Sequence, residues 1–180
     1  ERRERRRPAL RDRCRRARRP GGPPEHPRDE SAAQGTWVPR AGHAPRDGRE
    51  SAIIADLPPG NYTAIVRGVS DTTGVALAEV YDLDADANSI LGNISTRAFV
   101  QTGDNVMIGG FIVQGTGPKR VIIRAIGPEL TPFGITNALA NPTLELHNGS
   151  GAVIATNDDW QTTIIGGIIT TNQVSDIQNS

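Results

Sequence analysis

Cysteine is almost missing from this 180-residue sequence: the single Cys14 lies among arginines near the N-terminus. The rest of the chain therefore holds no disulfide, no thiolate nucleophile and no cysteine-based metal site, and its stability must come from packing. Aromatic residues make up only 4%, which leaves little material for stacking platforms. No run of about 18 apolar residues occurs, so no spanning helix is expected, and the basic N-terminus is not followed by the apolar stretch of a signal peptide. The first residue is Glu1 and not Met, and the chain is expected to be a fragment. Beyond residue 50 there is no HExxH, no GxxxxGK[ST] and no GxGxxG, which removes the usual zinc-protease, P-loop and dinucleotide signatures.

Lysine is missing from residues 1–50, although they hold 15 Arg against 8 Asp and Glu, a balance of +7. Residues 51–180 carry 5 Lys and Arg against 12 Asp and Glu, a balance of −7, so the net charge of zero averages two unlike segments. The first segment holds 7 of the 13 prolines and few apolar clusters. Such a composition cannot bury enough surface to offset its ordering entropy, and residues 1–49 are expected to form a disordered Arg/Pro-rich tail. Clustered arginine can neutralise phosphates. Yet Arg, Pro, Gly and Ala with no Lys, Ile, Tyr or Phe before Trp37 also fits out-of-frame translation of GC-rich DNA, and nucleic acid is not expected as a partner.

From residue 50 onward, β-branched runs alternate with turn signals at even spacing, the pattern of an all-β sandwich. Strands are expected at 51–55, 62–69, 75–83, 94–100, 105–113, 120–126, 143–147 and 153–156. The linkers PPGN, SDTTG, DADANS, QTGD, QGTGPK and HNGSG supply residues that tolerate positive φ or pre-set a turn. Gly109-Gly110 inside VMIGGFIV reads as a bulge or a close backbone approach. Helix is minor: a single turn at 135–140, and a short helix at 172–178 capped by Asn172.

Five stretches carry a resemblance: ESAIIADLPPGNYTAIVRGV, TTGVALAEVYDLD, NISTRAFVQTGDNVMIGGFIV, KRVIIRAIGPEL and PTLELHNGSGAVIATNDDW. Together, over roughly residues 43–180, they resemble the tandem β-sandwich repeat of large secreted or surface proteins of bacteria, a family without a settled biochemical activity. More distantly the chain is similar to pre-peptidase C-terminal jelly-roll domains. The resemblance implies an antiparallel β-sandwich of jelly-roll or Ig-like kind. It also implies that residues 50–91 are the end of one repeat and 92–180 the start of the next, closing as a permuted sandwich or leaving edges for absent neighbours. The function it implies is that of a non-enzymatic structural or adhesive module, extracellular or on the cell surface, with neighbouring repeats of the same polypeptide as partners. The alternative is a carbohydrate- or calcium-binding sandwich attached to a larger secreted enzyme.

Four groups of side chains invite a chemical role. His147 stands near Glu145 and Ser150, but HNGSG lacks the strand-to-helix elbow of acyl-transfer enzymes, and no catalytic residue is expected. Calcium takes carboxylate and carbonyl oxygens from loops, which points to Asp82, Asp84, Asp86 and Asn88 in YDLDADANS and to Asn157, Asp158 and Asp159 in TNDDW. The first departs from an EF-hand loop at Ala87 and Asn93, and in both clusters Asp and Asn serve equally well as turn formers. Trp160, beside two acids, is a possible glycan contact or a loop plug, and the sequons at Asn61, Asn93 and Asn148 are acceptors only in a host that glycosylates them. Finally, Arg124 interrupts VIIRAIGPEL. Period two puts it opposite Val121, Ile123 and Ala125, so it needs a partner from Glu79, Asp104 or Glu145, with Glu79 in ALAEVYD expected to form a structural ion pair.

Overall fold

The computed structural model describes residues 42–85, 88–92, 94–162 and 173–180. Expectations that fall on 1–41, Asp86, Ala87, Asn93 and Asn172 lie outside these described residues. The β-branched runs form β1 (Ser51–Leu57), β2 (Gly60–Gly68), β3 (Gly74–Asp82), β4 (Ser89–Ile90), β5 (Ile94–Val100), β6 (Met107–Gly115), β7 (Lys119–Ile126), β8 (Pro142–Asn148) and β9 (Val153–Asn157). All ladders between them are antiparallel. They build two sheets, one in the order β1-β7-β3-β5 and the other β4-β6-β2-β8-β9. The fold is an antiparallel β-sandwich, with one short helix, α1 (Gln173–Gln178), near the C-terminus.

The strand order decides how residues 50–91 and 92–180 relate. Every neighbouring pair in both sheets except β8-β9 joins a strand of the first segment to a strand of the second. Neither segment builds a sheet by itself, and they close on each other as one sandwich.

Side-chain alternation then sets the core. Tyr62, Ala64 and Val66 of β2 point inward, and Leu144 and Leu146 of β8 meet them beside Ile53, Val121 and Ile123 of the facing sheet. β1 and β7 differ from β2 in being buried on both faces, which is why their sequences SAIIA and VIIRAI run apolar without alternation. The outer face of their sheet carries a second apolar cluster of Ala52, Ile54, Ile122, Trp160 and Ile177. Residues 42–49, expected to belong to the tail, pack here: Ala44 joins this cluster and the His43 amide donates to the Ser180 carbonyl at 3.2 Å. Apolar contact and hydrogen bonds order this proline- and arginine-bearing stretch despite its composition.

Two other expectations are corrected. The helical turn lies at Pro128–Phe133, a 3-10 helix that Pro128 opens and Gly134 ends at φ 86°. Residues 135–140 instead form turns and an isolated bridge between Val75 and Ala138, because the Val75 amide and carbonyl bond the Asn137 carbonyl and the Leu139 amide. At Gly109-Gly110 the β2-β6 register runs through unbroken, with Ala64 opposite Gly109 and Thr63 opposite Gly110. A Cβ at Gly109 would meet nothing within 4 Å. The close approaches lie elsewhere: a Cβ on Gly127 would stand 2.1 Å from the Leu139 carbonyl oxygen, and one on Gly74 2.6 Å from the Leu139 amide nitrogen. Gly127→Ala should therefore lower stability by at least the about 1–3 kcal/mol of an overpacked core. Gly109→Ala should raise it by up to about 1 kcal/mol, because it removes strand glycine entropy at no steric cost. Urea denaturation of the two variants checks both signs.

Candidate functional site

A buried polar cluster lies on the outer face of the β1-β7-β3-β5 sheet. Antiparallel register sets Glu79 of β3 directly opposite Arg124 of β7, and the two side chains form an ion pair that is 11% and 5% exposed for Arg124 and Glu79. Arg124 also donates from Nη1 to the His43 carbonyl at 2.8 Å, and its guanidinium stands 5.2 Å from the centre of the Tyr81 ring. The Tyr81 hydroxyl donates to Glu79 Oε1 at 2.8 Å, and the His43 ring leans on Tyr81 with centroids 4.8 Å apart. Burial and the adjacent Arg124 charge hold the His43 imidazole below its ordinary pKa. Burial and the bond to Glu79 push the Tyr81 phenol up. The cluster clasps residues 42–49 to the sheet. Of the other acids considered for Arg124, Glu145 faces Arg67 at 3.6 Å on the opposite sheet, and Asp104 is exposed in the β5-β6 turn.

A second buried polar group was not singled out by sequence. Glu50, fully buried, accepts hydrogen bonds at Oε1 from the Glu129 amide at 2.8 Å and the Gly127 amide at 3.1 Å. It thereby supplies the acceptor that the start of the Pro128–Phe133 helix needs. Its other oxygen, Oε2, has no hydrogen-bond partner among the described residues. Burial is the main cause that pushes this carboxyl up to about 8; the Glu129 charge adds to it, and the two amide bonds oppose it.

The Asp-rich turn after β3 also serves a buried charge. Lys119, 1% exposed, points its Nζ at Asp82 Oδ2 at 3.1 Å and donates to the Asp84 carbonyl. Asp82 Oδ1 accepts the Asp84 amide at 2.8 Å. An ammonium thus occupies the position that a cation would take between Asp82 and Asp84. In the TNDDW turn, Asn157 Oδ1 accepts the Ala52 amide at 2.8 Å and its Nδ2 donates to the Asp159 carbonyl at 3.0 Å, so Asn157 ties β9 to β1. Asp158 is exposed, yet burial and the neighbouring Asp159 raise its pKa. Among the described residues no three His, Cys, Asp or Glu side chains converge as metal ligands. A calcium site filled to 100 times its dissociation constant would add about 2.7 kcal/mol to stability. The expected result is instead a melting temperature that moves by less than about 1 °C between chelator and millimolar calcium, a small fraction of the shift such linkage would give.

Trp160 is a core residue. It is 4% exposed and packs in the second cluster, its indole nitrogen donates to the Asp47 carbonyl at 3.1 Å, and its amide donates to the Glu50 carbonyl at 2.8 Å. The expected glycan contact is corrected accordingly, because a ring buried under residues 47–50 presents no face to a sugar. His147 has both ring nitrogens engaged, Nδ1 at 3.1 Å from the Gly151 carbonyl and Nε2 at 3.1 Å from Glu145. The Ser150 hydroxyl donates to Asn148 Oδ1 at 2.7 Å and not to His147. Asn148 also accepts the Ser150 and Ala152 amides, so it organises the hairpin turn. The sequon at Asn61 is exposed.

No family model matches the chain, and neither a search of the curated proteins nor one of the solved structures finds a match. The likeness to bacterial surface repeats rests on the motifs quoted above.

Proposed function

We propose that this chain is a non-enzymatic structural or adhesive β-sandwich module of a bacterial surface or secreted protein, working outside the cell beside neighbouring repeats of the same polypeptide. The observation that carries this reading is where its reactive side chains are directed. Arg124 binds both Glu79 and the His43 carbonyl, Lys119 binds Asp82, and Trp160 bonds to Asp47. Each fastens a segment to the sandwich. The extracellular placement and the repeat context come from the motif resemblance, and the shared sheets of residues 50–91 and 92–180 support a module that closes by itself while linked to others.

Protease added to intact cells that make the protein should remove it and reduce the attachment of those cells to coated surfaces. Protein released only by lysis would sink the extracellular reading. Turnover of an ester, peptide or glycoside by the purified chain, lost in His147→Ala, would sink the non-enzymatic one.

A further inference from the structure

A cavity of about 160 Å³ opens on the outer face of the β1-β7-β3-β5 sheet, beside the edge strand β5. Leu77, Ile126, Leu130 and Ile135 give it apolar walls, and Phe133, 57% exposed, stands at its rim. Its size is close to that of an engineered apolar cavity of about 150 Å³ that takes one benzene molecule. Four charged side chains also line it: Glu79, Arg97, Arg124 and Glu129. The two acids already have donors. Glu79 accepts from Arg124 and Tyr81, and Glu129 accepts from the Arg46 amide.

Arg97 forms no ion pair among the described residues, whereas Arg124 is taken up by Glu79 and the His43 carbonyl, and its Nε is shut off from the cavity. A guanidinium beside apolar walls favours a carboxylate above other acceptors. Apolar walls sized for one ring or one branched chain, with the Arg97 guanidinium beside them, define the chemistry of an occupant.

We propose that this cavity binds a small free hydrophobic monocarboxylate, one aliphatic or aromatic group of about six carbons or fewer seated against Leu77, Ile126 and Leu130, with its carboxylate on Arg97. The site is separate from the Asp-rich turns and makes no use of metal. β5 positions Arg97 opposite Leu77 in the ladder, so the charge stands beside the apolar wall and not over it.

Nuclear magnetic resonance titration of the full chain with 4-methylpentanoate tests the proposal, with 4-methylpentanamide as the uncharged match. The acid should shift the backbone amides of residues 77, 97, 126 and 130 saturably, with a dissociation constant on the order of a millimolar for eight non-hydrogen atoms. The amide should bind at least about tenfold more weakly. Arg97→Gln, a change at an exposed strand position, should weaken the acid about tenfold and leave the amide unaffected. Absence of saturable shifts up to about 20 mM acid, well above the affinity expected for so small a ligand, would overturn the proposal. Equal binding of acid and amide, or an Arg97→Gln chain that binds the acid like the parent, would overturn it too.

Discussion

Replacing Arg124 by Met while Glu79 stays in place is expected to destabilise the sandwich by about 3–5 kcal/mol, the cost of leaving one member of a buried pair uncompensated. For a folded region of this size that lowers the melting temperature by on the order of 10 °C. The loss has identifiable parts. Glu79, 4% exposed, would keep the Tyr81 hydroxyl as its one donor among the described residues, and the His43 carbonyl would lose one of the bonds that hold residues 42–49 against the sheet. Removing both charges together, in Arg124→Met with Glu79→Leu, should recover much of the loss, because apolar replacements of similar volume often match a buried pair in stability. Urea denaturation of the two single variants and the double variant closes the cycle, and a coupling energy near zero would mean that the pair contributes nothing of its own. Enhanced proteolysis within residues 42–49 of the single variant would locate the damage in the clasp.

That pair was legible in the sequence because it obeys period two. An arginine in an apolar run must face one side of a strand, and an acid at the matching phase of another strand is its natural complement. The strands themselves were legible for the same reason, since β-branched runs between turn residues leave few alternatives. Lys119 and Glu50 were not legible. In sequence they read as charges flanking a strand, and only the approach of Asp82 and Asp84 to one, and of the Gly127 and Glu129 amides to the other, makes them interior. Such contacts join residues distant in the chain, and no local periodicity encodes them. Residues 42–49 were hidden by their composition: proline and arginine predict disorder until Trp160, Tyr81 and α1 supply a surface to cover. Trp160 carried too little context, because an isolated aromatic beside two acids fits a glycan platform and a loop plug equally well. Gly109-Gly110 misled because glycine in a strand marks a bulge only where the ladder breaks, and here it does not.

Glu50 should make the protein less stable as pH rises from mildly acidic to mildly alkaline. Its folded-state pKa of about 8 lies above the 4.5 of a free glutamate, so the folded protein holds a proton that the unfolded chain releases. The stabilisation from this group is whole below about 4.5 and is lost progressively as pH rises through about 8. At about 1.4 kcal/mol for each pH unit, the upper bound over that interval is roughly 4–5 kcal/mol. His43 acts in the opposite sense. Its lowered pKa means that stability is whole above the ordinary histidine value of 6.5 and falls as pH drops through the folded-state value, so below 6.5 it opposes the Glu50 trend. Glu50→Gln separates them. Glutamine keeps the oxygen that accepts from Gly127 and Glu129 and cannot ionise, so the variant should lose the alkaline decline and become more stable than the parent above about pH 8. Glu50→Ala removes the acceptor as well and should be destabilised at every pH, by about 1–3 kcal/mol for each amide left unpaired. Parallel urea melts of the parent and Glu50→Gln from pH 5 to about 9, spanning both ends of the titration, decide the matter. Coincident profiles would show that the carboxyl is ionised in the fold at neutral pH and that its partnerless oxygen is met by solvent.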